Sequence, residues 1–302
     1  MNPLPRGSES LGGMDNPVSS QQKAYWLLTP GVLWSIVFLF IPLLVVCVIS
    51  FATRGTYGGV IWQFSLENYR DLWHPVYARI FGHSLVIASL TTVVCLVMGF
   101  PMAYYIARLS PRWQAFWLML IMIPFWTNFL VRTYAWMFIL RTEGLLNTVL
   151  LGLGVITTPL DMLYTDRAVL VGLVYGYLPF MVLPLYVTLE RLDPALVEVA
   201  RDLYANQWSV FRRVIVPLTK PGIIAGCLLV FIPSLGAFVT PDLLGGARNM
   251  MVGNLIQHEY LVMRDWPLGS AISLMLLIIV IAAAAAYFYI ESTRSTHRGA
   301  EV

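Results

Sequence analysis

The chain is 302 residues long, with 58% hydrophobic residues and only 12% charged residues. A soluble domain has roughly 25% charged residues, so this composition excludes a protein that faces water throughout and indicates one embedded in lipid. The net charge of +3 and the lack of any run of Lys and Arg argue against nucleic-acid binding.

The two ends of the chain are polar. Residues 1–24 are rich in Gly and Ser, and we predict that they form a disordered cytoplasmic tail. The apolar stretch that follows is longer than the ~7–15 residues of a signal-peptide core, which indicates a retained transmembrane helix. We predict a transmembrane domain over residues 25–291 and a cytoplasmic C-terminal tail over residues 292–302.

Long uncharged stretches give the number of transmembrane helices. A helix needs about 20 mostly apolar residues to cross the hydrocarbon layer. The stretches of this kind without Asp, Glu, Lys or Arg are 24–53, 80–107, 113–131, 168–189, 221–241 and 266–290. We therefore predict an all-α, polytopic membrane protein with six transmembrane helices.

A seventh uncharged stretch, residues 144–160, is short and contains three glycines and Pro159. We predict an interfacial or re-entrant helix there rather than a seventh span. A cytoplasmic N-terminus then places 11 Lys and Arg residues in the inner segments and 8 in the outer ones. This weak bias favours cytoplasmic N- and C-termini. Arg132, near the end of the third span, is predicted to reach the membrane interface with its long side chain.

Residues 190–221, between the fourth and fifth spans, are amphipathic. Asp193 followed by Pro194 is typical of a helix N-terminus. Two apolar stripes at helical spacing follow, Leu196, Val199, Ala200 and Leu203, and then Trp208, Phe211, Val214 and Ile215. Such stripes either lie on the membrane or on the helix bundle, or they dock on a partner protein.

The order of residues in this segment carries a resemblance. Glu198-Val199-Ala200, then Tyr204, then Ile215-Val216-Pro217 resembles the EAA loop of ABC-importer permeases, which reads roughly E-A-A, three residues, G, about nine residues, I-x-x-P. The resemblance implies the type I ABC-importer permease fold and a cytoplasmic coupling loop that docks on ATP-binding subunits. The residues that it assigns to this loop are Glu198, Val199, Ala200, Leu203, Tyr204, Ala205, Ile215 and Pro217.

The loop departs from the family pattern at two positions. Val199 replaces the second alanine, and Tyr204 stands where the family has glycine. Glycine permits a left-handed turn between two short helices, whereas tyrosine is sterically disfavoured in that conformation. We therefore expect either that Asn206 takes the turn or that the geometry of the loop differs.

The resemblance covers roughly residues 25 to 290. The runs that look like permeases of spermidine/putrescine importers are 124–134, 175–184, 216–226, 242–246 and 264–267. This resemblance implies a polyamine cargo, a second permease subunit, ATP-binding subunits and an extracytoplasmic binding protein, all at the bacterial inner membrane. Another small solute, such as an amino acid, iron or an oxyanion, is the alternative cargo.

The sequence argues against several other kinds of membrane protein. No Gly-Lys dipeptide occurs, so the chain has no phosphate-binding loop and the resemblance assigns ATP hydrolysis to another subunit. Gly-x-Ser-x-Gly and His-Glu-x-x-His are absent, and the three cysteines lack metal-ligand spacing, so we predict no catalytic residue, metal or cofactor. An ion channel or a secondary transporter is less favoured, because charged groups are rare within the spans.

A polyamine path should offer a carboxylate and aromatic faces to the ammonium groups. Asp242 follows Pro241 at the predicted outer end of the fifth span, where a broken helix can bind a cation. Trp and Tyr also concentrate at membrane interfaces regardless of cargo, which is the alternative interpretation of the aromatic residues. The aromatic candidates are Trp126, Tyr134, Trp136, Tyr175, Tyr177 and Phe238.

Overall fold

The computed structural model describes residues 17–246 and 249–298. The described residues divide after Ile49 into two compact units. The first contains α1, Pro17–Ser50, whose residues Leu28–Ser50 are long and apolar enough to cross a membrane. The helix begins within the predicted 1–24 tail, and residues 1–16 of that tail lie outside the described part of the chain.

The second unit starts with a short hairpin, in which β1, Thr53–Arg54, pairs antiparallel with β2, Val60–Ile61. The short helix α2, Glu67–Asp71, follows. The long helix α3, Pro75–Ala107, begins where Pro75 fixes the first helical position. These elements lead the chain into the helical core.

The third predicted span is broken. Helix α4, Pro111–Trp126, ends at Thr127, whose backbone is extended, and α5, Phe129–Leu140, begins after Asn128. The Asn128 side chain accepts a hydrogen bond from the backbone N–H of Leu130 (2.8 Å), which caps α5. The helices on the two sides of this break are bent by 90°, so the continuous helix predicted over 113–131 is wrong after Trp126.

Helix α6, Leu145–Gly152, follows α5 after a short turn. Its eight residues cover about 12 Å, which is too short to cross a bilayer. The structure therefore places no seventh span in residues 144–160.

Helix α7, Asp166–Glu190, lies at the centre of the second unit, between α3 and α11, Lys220–Leu235. Two glycines of α11 allow this close approach. A Cβ atom on Gly222 would lie 2.7 Å from the carbonyl oxygen of Pro184, and one on Gly226 would lie 2.7 Å from the sulfur of Met181. Buried residues of this core are Cys95, Ala103, Val174, Met181, Leu185 and Val230.

The segment between α7 and α11 holds three short helices and one π-helical turn. They are α8, Pro194–Asp202; α9, Gln207–Val210; the π-helical turn Phe211–Ile215; and α10, Val216–Leu218. The chain bends by 69° between α10 and α11. A second π-helical turn, Pro241–Gly245, precedes α12, Val252–Leu261, and α13, Trp266–Arg298.

Within the described residues, four helices are long and apolar enough to cross a membrane: Leu28–Ser50, Pro75–Ala107, Asp166–Glu190 and Trp266–Ala285. The number is up to six if each of the two bent pairs forms one span. The predicted all-α, polytopic membrane class is confirmed. Helix α13 reaches Arg298, into the predicted 292–302 tail, and residues 299–302 lie outside the described chain.

Candidate docking loop and transport path

Helix α8 begins as its sequence predicts. The Asp193 side chain accepts a hydrogen bond from the backbone N–H of Ala195 (2.9 Å), and Pro194 occupies the first turn. This cap fixes the start of α8 directly after the end of α7.

The face that α8 turns toward its own chain differs from the predicted apolar stripe. Val197, which is 4% exposed, is the residue of α8 that packs in the core, with Ala200 half-buried beside it. Val199 and Leu203, both predicted in the stripe, are 56% and 76% exposed. Leu196 is exposed as well, so most of the predicted stripe is left uncovered by this chain.

The second half of the loop is anchored to the helix bundle. Ile215 and Val210 are buried in the same core as Val197, and Ala205 is partly buried against it. The Phe211 ring meets the Phe100 ring of α3 edge-on, with centroids 5.4 Å apart. The loop is therefore held at its inner face, while Glu198 stays exposed. Pro217 is half-buried and is the second residue of α10.

The turn between α8 and α9 shows why the family pattern has glycine where this chain has Tyr204. The N–H of Ala205 donates to the Ala200 carbonyl (3.2 Å), and the N–H of Tyr204 donates to the Arg201 carbonyl (2.9 Å). These two bonds form the Schellman motif, which requires a left-handed residue at the position of Tyr204.

Tyr204 itself takes that conformation, with φ of +58°. Both expected alternatives are wrong: the turn keeps the geometry that suits glycine, and Asn206, with φ of −68°, does not supply it. Asn206 instead caps α9, because its side chain accepts from the N–H of Ser209 (2.7 Å). A left-handed residue other than glycine costs about 1–2 kcal/mol.

The candidate path residues occupy several elements. Trp126, 80% exposed, ends α4, and Tyr134 lies exposed on α5. Phe238 and Asp242 are both exposed, and they are joined by a backbone hydrogen bond from the N–H of Asp242 to the Phe238 carbonyl (3.0 Å).

Three of the aromatic candidates make close contacts. The Tyr175 ring meets the ring of Trp136 edge-on at 5.4 Å, which joins α7 to α5. The Tyr177 hydroxyl donates to the Pro233 carbonyl (3.2 Å), which joins α7 to α11. The candidates in direct contact are thus Tyr175 with Trp136 and Phe238 with Asp242.

Arg132 is a half-buried cation whose surroundings the sequence does not reveal. Its Nε and Nη1 atoms are buried and have no hydrogen-bond partner among the described residues. The guanidinium carbon lies 5.4 Å from the centre of the Phe129 ring. That this side chain reaches the membrane interface stays a prediction.

A polar contact between α3 and α7, which the sequence does not predict, joins His83 and Asp166. His83 Nε2 of α3 lies 3.0 Å from Asp166 Oδ1 at the start of α7. The two residues are 83 positions apart, so no local pattern links them.

Glu259 is a buried acidic residue near the end of α12. Burial raises the pKa of Glu259, Asp265 raises it further, and His258 and Arg54 oppose that rise only in part. Arg54 Nη1 lies 3.8 Å from Asp265 Oδ2, and an Asp265 oxygen accepts from the N–H of Leu268 to cap α13. These contacts bind the β1–β2 hairpin to the start of α13.

Comparison with known proteins places this arrangement in a family. Residues 96–295 match the family model described as "Binding-protein-dependent transport system inner membrane component". The chain is 47% identical over 243 residues to the spermidine/putrescine transport system permease protein PotB of Escherichia coli, which covers 80% of this chain and 88% of that protein. Against PotB of Haemophilus influenzae the identity is 46%, covering 80% of this chain and 85% of that protein.

A solved structure has the same fold at low sequence identity. A bacterial ABC transporter involved in the import of the acidic polysaccharide alginate matches with a TM-score of 0.68 and 16% identity, over 91% of this chain and 99% of that chain. Together with the matched family model, this shows that the chain is a binding-protein-dependent transport system inner membrane component, a permease subunit of an ABC importer.

Proposed function

We propose that this permease subunit carries a polyamine, such as spermidine or putrescine, across the bacterial inner membrane. The observation that carries the proposal is 46–47% identity, over 80% of the chain, to permeases named for spermidine/putrescine transport. A small solute of another class, such as an amino acid, iron or an oxyanion, is the alternative cargo.

The chemistry of the candidate path suits a flexible polycation. The carboxylate of Asp242 is exposed and forms no ion pair with any residue in the described part of the chain. Exposed aromatic rings, such as those of Tyr134 and Phe238, offer cation–π contacts worth about 0.5–2 kcal/mol each. A carboxylate and ring faces together recognise ammonium groups on an alkyl chain.

The energy for transport comes, in this proposal, from separate ATP-binding subunits, because the chain has no Gly-Lys-Ser/Thr motif of its own. The exposed residues Leu196, Val199 and Leu203 of α8 form the docking face, with Glu198 at its edge. α8 is joined through α9, the π-helical turn and α10 to α11, which packs on α7. Movement of the docked loop would therefore move α11 against α7. This shift of the central helices would open the path alternately to each side of the membrane.

A second permease subunit and an extracytoplasmic binding protein complete the proposed importer. A related solved structure is described as an alginate ABC transporter in complex with a periplasmic protein that holds alginate pentasaccharide. The excess of Lys and Arg in the inner segments supports cytoplasmic termini, which puts the docking loop on the side of the ATP-binding subunits.

The docking role is tested by Leu203→Gln and Glu198→Ala in the complete complex. We expect each variant to insert in the membrane normally and to bind the ATP-binding subunit about tenfold more weakly, which corresponds to ~1.4 kcal/mol. Less of that subunit should then co-purify. Glu67→Ala, at an exposed position on α2, is the matched control and should co-purify as the parent chain does. Full co-purification with both loop variants would rule out this docking face.

The role of Asp242 is tested by Asp242→Asn in reconstituted vesicles. Loss of the carboxylate removes its charge pairing with the cargo, so we expect polyamine uptake to fall about tenfold while the complex stays assembled. Glu143→Gln, an exposed carboxylate in the turn before α6, is the control and should leave uptake unchanged. Equal uptake by the Asp242 variant would remove this residue from the path.

A further inference from the structure

Tyr204 is a strained and solvent-exposed residue at the tip of the loop. Its φ of +58° is a conformation that favours glycine, and its side chain is 98% exposed. Strain of this kind persists only where the surrounding structure fixes it, and it concentrates at functional sites.

The backbone of the turn cannot relax without losing its hydrogen bonds. Both Schellman bonds, Ala205 to Ala200 and Tyr204 to Arg201, need the left-handed residue. Asn206, which tolerates that conformation better than tyrosine, is already used as the cap of α9. Because the Tyr204 ring touches almost nothing, the folded chain gains no packing from it in return for the strain.

Tyr204 belongs to an exposed apolar surface, which we call the loop-tip patch and define as Val199, Leu203, Tyr204 and Trp208. These side chains are 56%, 76%, 98% and 66% exposed. The Trp208 ring is held in place by stacking on Phe211, with centroids 5.5 Å apart and an interplanar angle of 23°. A fixed aromatic ring beside an exposed tyrosine is the composition of a protein-binding hot spot.

The charges around the loop-tip patch favour a protein over a lipid surface. The exposed charged residues near it have both signs, and they are Glu198, Arg201, Asp202, Arg212 and Arg213. An anionic membrane surface attracts basic residues and would repel the two carboxylates, whereas a mixed polar rim around apolar residues is usual at protein interfaces. The patch is also continuous with the proposed docking face of α8, since Val199 and Leu203 belong to both.

We infer that Tyr204 is an aromatic anchor that enters a pocket of the ATP-binding subunit and makes this permease selective for that partner. The inference rests on the proposed docking role of the loop. Relatives with glycine at this position would present no side chain there, so the pocket for Tyr204 is a feature of the matched partner. In the complex, the contacts of the ring with the pocket offset the free energy that the left-handed backbone at Tyr204 costs the free chain.

The test measures folding stability and partner affinity on the same variants of the full chain, purified in lipid nanodiscs. Tyr204→Gly relieves the strain and removes the ring, so we expect a melting temperature equal to or above that of the parent and an affinity for the ATP-binding subunit about 10- to 100-fold weaker. Tyr204→Phe keeps both strain and ring, and its affinity should stay within about threefold of the parent.

Tyr204→Gly removes the ring and also makes the backbone more flexible, so Tyr204→Ala is used to test the loss of the ring alone. It keeps the left-handed conformation at a residue with a Cβ atom, and it should bind as weakly as Tyr204→Gly. Parent-like affinity in both the Gly and the Ala variant would overturn the inference. If the parent chain itself fails to bind the ATP-binding subunit, the proposed docking role fails instead; if Leu203→Gln weakens binding and Tyr204→Gly does not, only the role of Tyr204 fails.

Discussion

Asn147 organises the turn on both sides of α6 with a single amide. It is 2% exposed, and its Nδ2 donates to the carbonyls of Thr142 (3.0 Å) and Leu160 (2.9 Å), while its Oδ1 accepts from the Leu160 N–H (2.9 Å). Backbone groups that water cannot reach need such partners, because an unpaired buried group costs about 1–3 kcal/mol. The Asn147 amide thus joins Leu160 to the turn before α6 by hydrogen bonds.

Asn147→Ala leaves those backbone groups without partners. We expect the free energy of unfolding to fall by about 2–3 kcal/mol, measured by thermal unfolding in detergent or nanodiscs. Thr148→Ala is the control, since the Thr148 hydroxyl bonds only within its own helix, to Gly144. A loss no larger than that of the control would contradict the assigned role.

Glu259 lies in α12, outside the membrane-spanning helices, and it makes stability depend on pH. Because burial and Asp265 raise its pKa, the folded chain keeps this proton to a higher pH than the unfolded chain does. The contribution of this group to the free energy of unfolding therefore decreases as the pH rises from its ordinary pKa of 4.5 toward the raised value.

Glu259→Gln removes the titration while keeping the shape of the side chain. We expect the variant to be more stable than the parent chain above this pH range, and its stability to vary less with pH within the range. Glu67→Gln, on the exposed surface of α2, should leave the pH profile unchanged. Parallel profiles for the parent and the Glu259 variant would contradict the role of this carboxyl.

Several residue-level features had no signal in the sequence. The hydrogen bonds of Asn147, the pair His83–Asp166 and the burial of Arg132 all depend on which elements meet in space. The position of Tyr204, where the family has glycine, did have a signal in the sequence. The family pattern indicated that a left-handed turn belongs there, and the structure adds that Tyr204 adopts it at a steric cost.

At the scale of elements, the contact between α7 and α11 sets the core. Gly222 and Gly226 are four residues apart, so they lie on one face of α11, and small residues at this spacing allow a close helix contact. In the structure both glycines face α7 of the same chain. Gly172 likewise faces the π-helical turn Pro241–Gly245, at Thr240 and Leu244.

Gly222→Ala is expected to force α7 and α11 apart, because its Cβ atom would lie 2.7 Å from the Pro184 carbonyl oxygen. Overpacking of this kind costs about 1–3 kcal/mol, which thermal unfolding would detect. Gly176→Ala is the matched control on α7, since its Cβ atom would lie 3.8 Å from Phe129, an ordinary contact. Equal melting temperatures for the two variants would contradict this account of the core.

The starts of the elements were easier to predict than their faces and breaks. Asp193-Pro194 fixes the beginning of α8 by local chemistry, and the structure has that cap. Hydrophobic periodicity predicted the apolar stripe of α8 and left open whether it packs on its own chain or faces a partner. In the structure Leu196, Val199 and Leu203 of that stripe are exposed. Val197, just beside the predicted stripe, is the residue that packs inward.

At the scale of the whole molecule, composition and uncharged stretches predicted a polytopic α-helical membrane protein, and the fold agrees. The bends after Trp126 and before Lys220 were not predicted, because hydropathy gives the length of an apolar stretch and no information on its direction. The first bend lies at the polar cap of Asn128, and the second lies at Thr219, between α10 and α11. The proposed transport cycle uses the second of them, where the docking loop joins the core.

The most direct measurement of the central claim is ATP-driven uptake by vesicles that contain this chain with its second permease, ATP-binding and binding-protein partners. We predict that labelled spermidine or putrescine accumulates only with ATP, that excess unlabelled polyamine competes, and that Leu203→Gln abolishes uptake. Accumulation of an amino acid or an oxyanion in place of the polyamine would contradict the proposed cargo. Polyamine uptake that continues without ATP would contradict the proposed importer mechanism.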